Sequence, residues 1–147
     1  MSIKVLIADD HPLVRDALAD LLTQSDGIRV VGTCADGSEV IPAAARTRPD
    51  IVLMDLQMPT MGGLEATRAL LAVQPHVRVV VLTGDCKIAT ACEARAAGAV
   101  GFLLKEEDPY ALPEQIRAVA AGGTAWCKEA DAFLRRTDGR PNGRGGG

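Results

Sequence analysis

The sequence predicts an α/β fold built on a doubly wound sheet of five parallel strands. Three observations predict it. Short runs of Val, Ile and Leu alternate with stretches of helical spacing, five times over. The first run, Ile3–Ala8, is nearly continuous in apolar residues after Lys4, as expected for a strand covered on both faces. Five polar residues, Asp9, Asp10, Asp55, Thr83 and Lys105, each end or directly follow such a run.

The first strand is Ile3–Ala8. Pro12 then suits a helix first turn, and Leu13, Ala17, Leu18, Leu21 and Leu22 follow at helical spacing. Asp26-Gly27 is a turn, and Ile28–Cys34 is the second strand. Asp36, Ser38 and Glu39 offer caps for a second helix that runs to about Arg48. Pro49-Asp50 breaks the chain before the third strand, Ile51–Met54. The loop from Leu56 to Gly63 carries Pro59 and a Gly62-Gly63 pair. Leu64, Ala66, Thr67, Leu70 and Leu71 mark the third helix, which Pro75 ends. Arg78–Thr83 is the fourth strand, and residues 87–97 are an Ala-rich helix stopped by Gly98. Gly101–Leu104 is a short fifth strand. The last helix starts at Pro109 or Pro113 and runs to about Ala121. A mid-helix Pro113 would lose a hydrogen bond, so both starts stay open.

Strands and helices at this spacing imply right-handed crossovers and a parallel sheet. Five units in about 120 residues fit a flavodoxin-like (βα)5 fold with strand order 2-1-3-4-5. Residues 1–123 are the expected domain, and residues 124–147 an extension. Ala130–Arg136 is a candidate short helix. From about Thr137 the Gly, Arg, Pro and Asn tail has almost no apolar content, and such composition stays disordered.

Composition narrows the function. The net charge of -3 predicts no nucleic-acid footprint, although Arg135, Arg136, Arg140 and Arg144 gather near the end. No apolar run approaches the roughly 18 residues of a membrane helix, and Met1-Ser2-Ile3-Lys4 enters a strand with no signal peptide. Cys34, Cys86, Cys92 and Cys127 form neither a C-x-x-C pair nor a zinc pattern. Four reduced thiols in a cytoplasmic protein are the expectation.

In a parallel α/β sheet, the C-terminal ends of the strands share one edge, and ligands bind in the crevice there. Three carboxylates, a hydroxyl and an ammonium should therefore converge in one cleft. Acids packed so closely repel one another without a cation among them. Magnesium takes carboxylate oxygens and water. A magnesium ion with an anionic phosphoryl reactant fits this group of side chains.

The stretches Asp9-Asp10-His11-Pro12, Asp55-Leu56-Gln57-Met58-Pro59, Leu82-Thr83-Gly84 and Phe102-Leu103-Leu104-Lys105 carry a family resemblance. The chain from residue 3 to about 122 resembles the response-regulator receiver domain of two-component signalling. Ala8-Asp9-Asp10-His11-Pro12-Leu13-Val14-Arg15 and Gly101-Phe102-Leu103-Leu104-Lys105-Glu106 resemble the subfamily whose receivers precede a LuxR-type helix-turn-helix. The resemblance implies that Asp55 is the phosphoacceptor, a carboxylate nucleophile that becomes an acyl phosphate. It implies that Asp9, Asp10, Asp55 and the main-chain carbonyl of Gln57 hold Mg²⁺. Lys105 would pair with Asp55 and then with the phosphate, and Thr83 would hydrogen-bond a phosphoryl oxygen. Phe102 stands where the family carries an aromatic that swings inward as the Thr83 position moves. Gly84 leaves room beside the phosphate, and Gln57 and Asp85 flank the site and tune its access to water. Glu106 stands where many receivers have proline after a cis peptide bond, so a trans bond is expected here.

The implied function is a phosphorylation-controlled switch rather than a turnover enzyme. A sensor histidine kinase would supply the phosphoryl group, and a homodimer would form on phosphorylation. Output would be transcriptional, through a DNA-binding domain absent from this chain, with no membrane partner. Too few residues follow Gly122 for a helix-turn-helix, so the chain is a piece of a longer protein or a stand-alone receiver. A haloacid-dehalogenase-type phosphatase would place its nucleophile in a D-x-D motif after the first strand, and Asp9-Asp10-His11 does not match. A flavin-phosphate site needs a Gly- and hydroxyl-rich loop there, where two acids stand instead. A phosphorylation-independent interaction domain is disfavoured by the intact acid set. His11 and His76 read as loop and surface residues, and Met54, Met58 and Met61 as core filler.

Overall fold

The computed structural model describes residues 2–105 and 108–138. Its strands are β1 Ile3–Ala8, β2 Ile28–Cys34, β3 Ile51–Asp55, β4 Arg78–Thr83, β5 Gly101–Leu104 and β6 Ala125–Trp126. Its helices are α1 Pro12–Thr23, α2 Val40–Thr47, α3 Gly63–Val73, α4 Ile88–Ala96, α5 Leu112–Ala120 and α6 Lys128–Asp138. All strand pairings are parallel, in the order β2-β1-β3-β4-β5-β6.

Among the described residues the sheet has six strands, which corrects the five-stranded expectation. The sixth comes from Ala125 and Trp126, which pair with Gly101 and Phe102. Two residues are too short a run to register as a strand by pattern alone. Gly101 has no side chain at this crossing, where a Cβ would lie 2.8 Å from the Ala125 carbonyl oxygen.

The helices cover both faces. On one, Val5, Ile7, Leu53, Val80 and Leu103 pack with Leu22 and with Leu112, Ile116 and Val119 of α5. On the other, Leu6, Val52, Met54, Val79, Val81 and Phe102 pack with α2, α3 and α4. Cys127 and Ala130, at the junction of β6 and α6, belong to this second cluster. Residues beyond 123 thus contribute to the same core.

The open start of α5 resolves simply. Pro109–Ala111 is a 3-10 turn capped by the Asp108 carboxylate, and Pro113 falls in the first turn of α5, where no hydrogen bond is lost. The Lys105–Glu106 bond, Arg140 and Arg144 lie outside the described residues, as does most of the tail read as disordered. Among the described residues no peptide bond is cis, and no helix is long and apolar enough to cross a membrane.

The cysteines depart from expectation. Cys86 and Cys127 form a disulfide, while Cys34 and Cys92 are free. Sequence spacing hid the pair because 41 positions separate its members. Only the return of the chain through β6 brings Cys127 beside the β4–α4 loop.

Candidate functional site

Register places the site. Ala8 is level with Met54, and Asp55 with Leu82, so Asp9, Asp55 and Thr83 emerge at one edge of adjacent strands. The Lys105 amide donates to the Thr83 carbonyl at 2.8 Å, which extends the β4–β5 ladder to the lysine. The resulting open cleft is lined by Asp10, His11, Asp55, Leu56, Gln57, Thr83, Gly84, Asp85 and Lys105.

Asp9 is fully buried. Its Oδ1 accepts from the His11 amide at 2.9 Å, and Arg15 Nη1 donates to its carbonyl at 2.8 Å. Its Oδ2 stands 3.0 Å from Lys105 Nζ, which is also 3.0 Å from Asp55 Oδ1. One half-buried ammonium therefore bridges two buried carboxylates. Burial alone would pull the Lys105 pKa down, but hydrogen bonds and charge attraction from Asp55 and Asp9 outweigh it and raise it.

The Asp55 carboxyl is pushed up to about 6, first by desolvation and then by the nearby negative charge of Asp9, against the pull of Lys105. A single ammonium does not offset the acids gathered here. Ligand oxygens of Asp9 and Asp10 and a ring nitrogen of His11 lie within 4.8 Å of one another. His11 itself is exposed, with Nδ1 3.8 Å from Asp10 Oδ1. Its position at the helix start agrees with the loop reading. The hard oxygen donors and their excess negative charge, against one ammonium, fit a small divalent cation.

The remaining expected residues fall around this centre. Thr83 is buried, and its hydroxyl donates to the Asp85 carbonyl at 3.0 Å and accepts from the Asp85 amide at 3.2 Å. It faces its own loop rather than Asp55. Gly84 is exposed, and a Cβ there would meet nothing within 4 Å. Gln57 and Asp85 are exposed on either side of the cleft. Phe102 is 0% exposed, packed against the α4 side of the core. It already occupies the interior into which such an aromatic is expected to swing.

Two supporting residues escaped sequence reasoning. Asp36, expected only as a helix cap, also holds the loop beyond Asp55. Its carboxylate accepts from the Ser38 hydroxyl and amide at 2.6 and 2.9 Å and from the Thr60 amide at 2.8 Å, and it reaches the Met61 amide at 3.2 Å. These bonds, those from Ser38 first, hold its pKa well below the usual carboxylate range. Gly63 is the second. A Cβ there would lie 2.2 Å from the Asp55 carbonyl oxygen, so only glycine lets α3 start this close to the site. The Gly62-Gly63 pair was the available signal.

A family model described as the response regulator receiver domain matches residues 5–117. The response regulator GacA of Pseudomonas aeruginosa is 42% identical over 120 residues, covering 82% of this chain and 56% of that protein. The uncharacterized transcriptional regulatory protein YxjL of Bacillus subtilis is 39% identical over 120 residues, covering 82% of this chain and 55% of that protein. A crystal structure of a LuxR-family two-component response regulator from Aurantimonas sp. SI85-9A1 superposes with a TM-score of 0.86 at 35% identity, covering 92% of this chain and 99% of that one. The chain spans about half the length of the curated relatives it matches.

Proposed function

The chain belongs to the response-regulator receiver family, and from that premise we propose that it is a phosphorylation-controlled switch with Asp55 as phosphoacceptor. The observation that carries this reading is the Lys105 ammonium 3.0 Å from Asp55 in a pocket whose acids exceed the available positive charge. An Asp55 carboxylate oxygen attacks the phosphorus of a phosphohistidine on a sensor kinase. The P–N bond breaks, and the imidazole leaves with the electron pair and takes up a proton. Asp9, Asp10 and Asp55, with the Gln57 carbonyl, would hold Mg²⁺. When bound, it supplies positive charge against the phosphoryl oxygens.

Lys105 then turns from Asp55 to the phosphoryl group, where its compact ammonium acts as a point charge. Thr83 leaves Asp85 and donates its hydroxyl to a phosphoryl oxygen. Gly84 leaves space on that side, and Phe102 senses the change from within. Gln57 and Asp85 set the approach of water, and so the lifetime of the acyl phosphate. The protein acts in the cytoplasm, where kinases draw on ATP. It dimerises on phosphorylation and controls transcription through a DNA-binding domain outside this chain. The naming of the Bacillus relative as a transcriptional regulatory protein supports that output.

Intact mass after acetyl phosphate and Mg²⁺ tests the reading. A gain of one phosphoryl group is expected, absent in Asp55→Asn and absent without Mg²⁺. No gain and no response to beryllofluoride would leave a phosphorylation-independent interaction module as the better reading.

A further inference from the structure

The Cys86–Cys127 disulfide joins the loop that follows Thr83 to the end of β6, the strand that pairs with β5 at Phe102. Cys86 lies in the β4–α4 loop, three positions beyond Thr83. Cys127 follows β6, and its amide donates to the Phe102 carbonyl at 2.7 Å. Cys127 is 2% exposed and packs in the same cluster as Phe102 and Ala130. One end of the bond is thus anchored in the core, and the other sits in a loop that must move.

The need for movement follows from Thr83. Its hydroxyl is held by the Asp85 carbonyl and amide. The Lys87 amide donates to the same Asp85 carbonyl at 3.1 Å. A hydroxyl that turns to a phosphoryl oxygen on Asp55 breaks the Thr83–Asp85 pair and releases the turn around Asp85. Cys86 lies inside that turn, so a covalent bond from Cys86 to the core opposes the change.

We propose that Cys86 and Cys127 are a reversible thiol–disulfide pair: closed by a low-molecular-weight disulfide, the bond holds the β4–α4 loop in its unphosphorylated arrangement and weakens phosphoryl binding at Asp55. This rests on the receiver reading given above. In a reducing compartment, protein disulfides are chiefly transient or redox-sensing. The half-buried Cys86 is the point of entry. Its thiolate attacks one sulfur of RSSR, the S–S bond breaks, and RS⁻ leaves and takes up the proton that Cys86 released. The Cys127 thiolate then attacks the Cys86 sulfur of the mixed disulfide, and a second RSH leaves with the Cys127 proton. The two protein sulfurs give up two electrons, and RSSR becomes two RSH. Cys34 does not compete, because burial first of all pushes its thiol up to about 11 and keeps it protonated. The coupling is reciprocal: phosphorylation must favour the open dithiol by the same factor by which the dithiol favours phosphoryl binding.

The test is calorimetric titration of beryllofluoride, with Mg²⁺, into the whole chain after oxidised glutathione or dithiothreitol. Thiol counting and intact mass verify each redox state. The dithiol form should bind at least roughly fivefold more tightly. Cys86→Ser and Cys127→Ser should bind tightly after either treatment, while Cys92→Ser should keep the redox dependence. Equal affinity of the two wild-type forms overturns the proposal, whether or not the variants fold. So does failure of oxidised glutathione to close the bond. If neither form binds beryllofluoride, the receiver reading falls and this proposal with it. If both bind alike, the receiver reading stands and only this proposal falls.

Discussion

The Lys105 ammonium stands 3.0 Å from Asp9 Oδ2, and Asp9 is fully buried. The lysine is thus the counter-ion of a carboxylate that has little access to water, as well as the partner of Asp55. Removing it leaves two buried acids facing each other. Breaking a buried pair costs about 3–5 kcal/mol when one charge is left alone. Lys105 retains some exposure, so Lys105→Gln should cost roughly 2 kcal/mol without metal. The same change should tighten Mg²⁺ binding, because the cation no longer competes with the ammonium for the acids. Urea unfolding with and without Mg²⁺ measures both effects. Unchanged stability, or weaker Mg²⁺ binding, would contradict this account.

Asp55 gives a pH dependence with a definite sign. Its folded pKa is about 6, raised above the ordinary carboxylate value. Its contribution to stability is therefore fully present below about pH 4 and is lost as the pH rises through about 6. Asp55→Asn removes that loss and should stabilise the metal-free protein by about 1–2 kcal/mol at pH 8. The gain should vanish near pH 4. Mg²⁺ competes with the proton on Asp55, so stabilisation of the wild type by Mg²⁺ should fade below about pH 6. Thermal melts across this range, with and without metal, would reveal the crossover. A pH-independent gain would mean that charge is not its cause.

Asp36 should matter to the site without touching it. Its carboxylate accepts from the Thr60 amide and reaches that of Met61, in the loop that carries Gln57. Asp36→Ala leaves these amides without that partner, and the loop loosens around the Gln57 carbonyl. Supporting groups of this kind are typically worth 10–100-fold in metal affinity, and a loss on the order of 10-fold in Mg²⁺ affinity is expected. The carboxyl is held below its ordinary value, so its stabilising effect is present above about pH 4 and lost only in stronger acid. The variant's defect in stability should therefore be flat from pH 5 to 8. A stability defect with wild-type Mg²⁺ affinity would reduce Asp36 to a helix cap.

The parts legible in the sequence are those with local signatures. Near-continuous apolar runs marked β1, β3, β4 and β5, because buried parallel strands have no polar face to interrupt them, whereas edge strand β2 carries exposed Arg29 and Thr33. Asp9, Asp55 and Thr83 could be placed together because each ends such a run, and parallel topology brings those ends to one edge. Contacts set by tertiary return were not legible. Asp36 reads as a helix cap, yet its longest-range partners lie 24 and 25 residues away. Ala125-Trp126 has no strand signature of its own and becomes β6 only because β5 offers an open edge. The Cys86–Cys127 bond depends on that same return.

The core contribution of β6 and α6 leads to the last prediction. Ala125, Cys127, Ala130 and Leu134 are each at most 8% exposed, and the first three belong to the clusters that hold the strands. α6 also carries the Asp131–Arg135 ion pair one turn apart, at 2.8 Å, which supports the helix from its solvent side. A chain ending at Gly123 loses these apolar side chains and leaves Phe102 and α4 bare on that face. Loss of a few small and medium side chains from a packed core costs about 2–4 kcal/mol. The truncated chain should fold, because all five βα units remain, with a midpoint in urea lowered accordingly. Reduction of the disulfide separates the two sources of stability: dithiothreitol should lower the midpoint of the whole chain but leave that of the truncated chain unchanged. Equal midpoints for the reduced whole chain and the truncated one would show that the bond, not the packing, holds the extension in place.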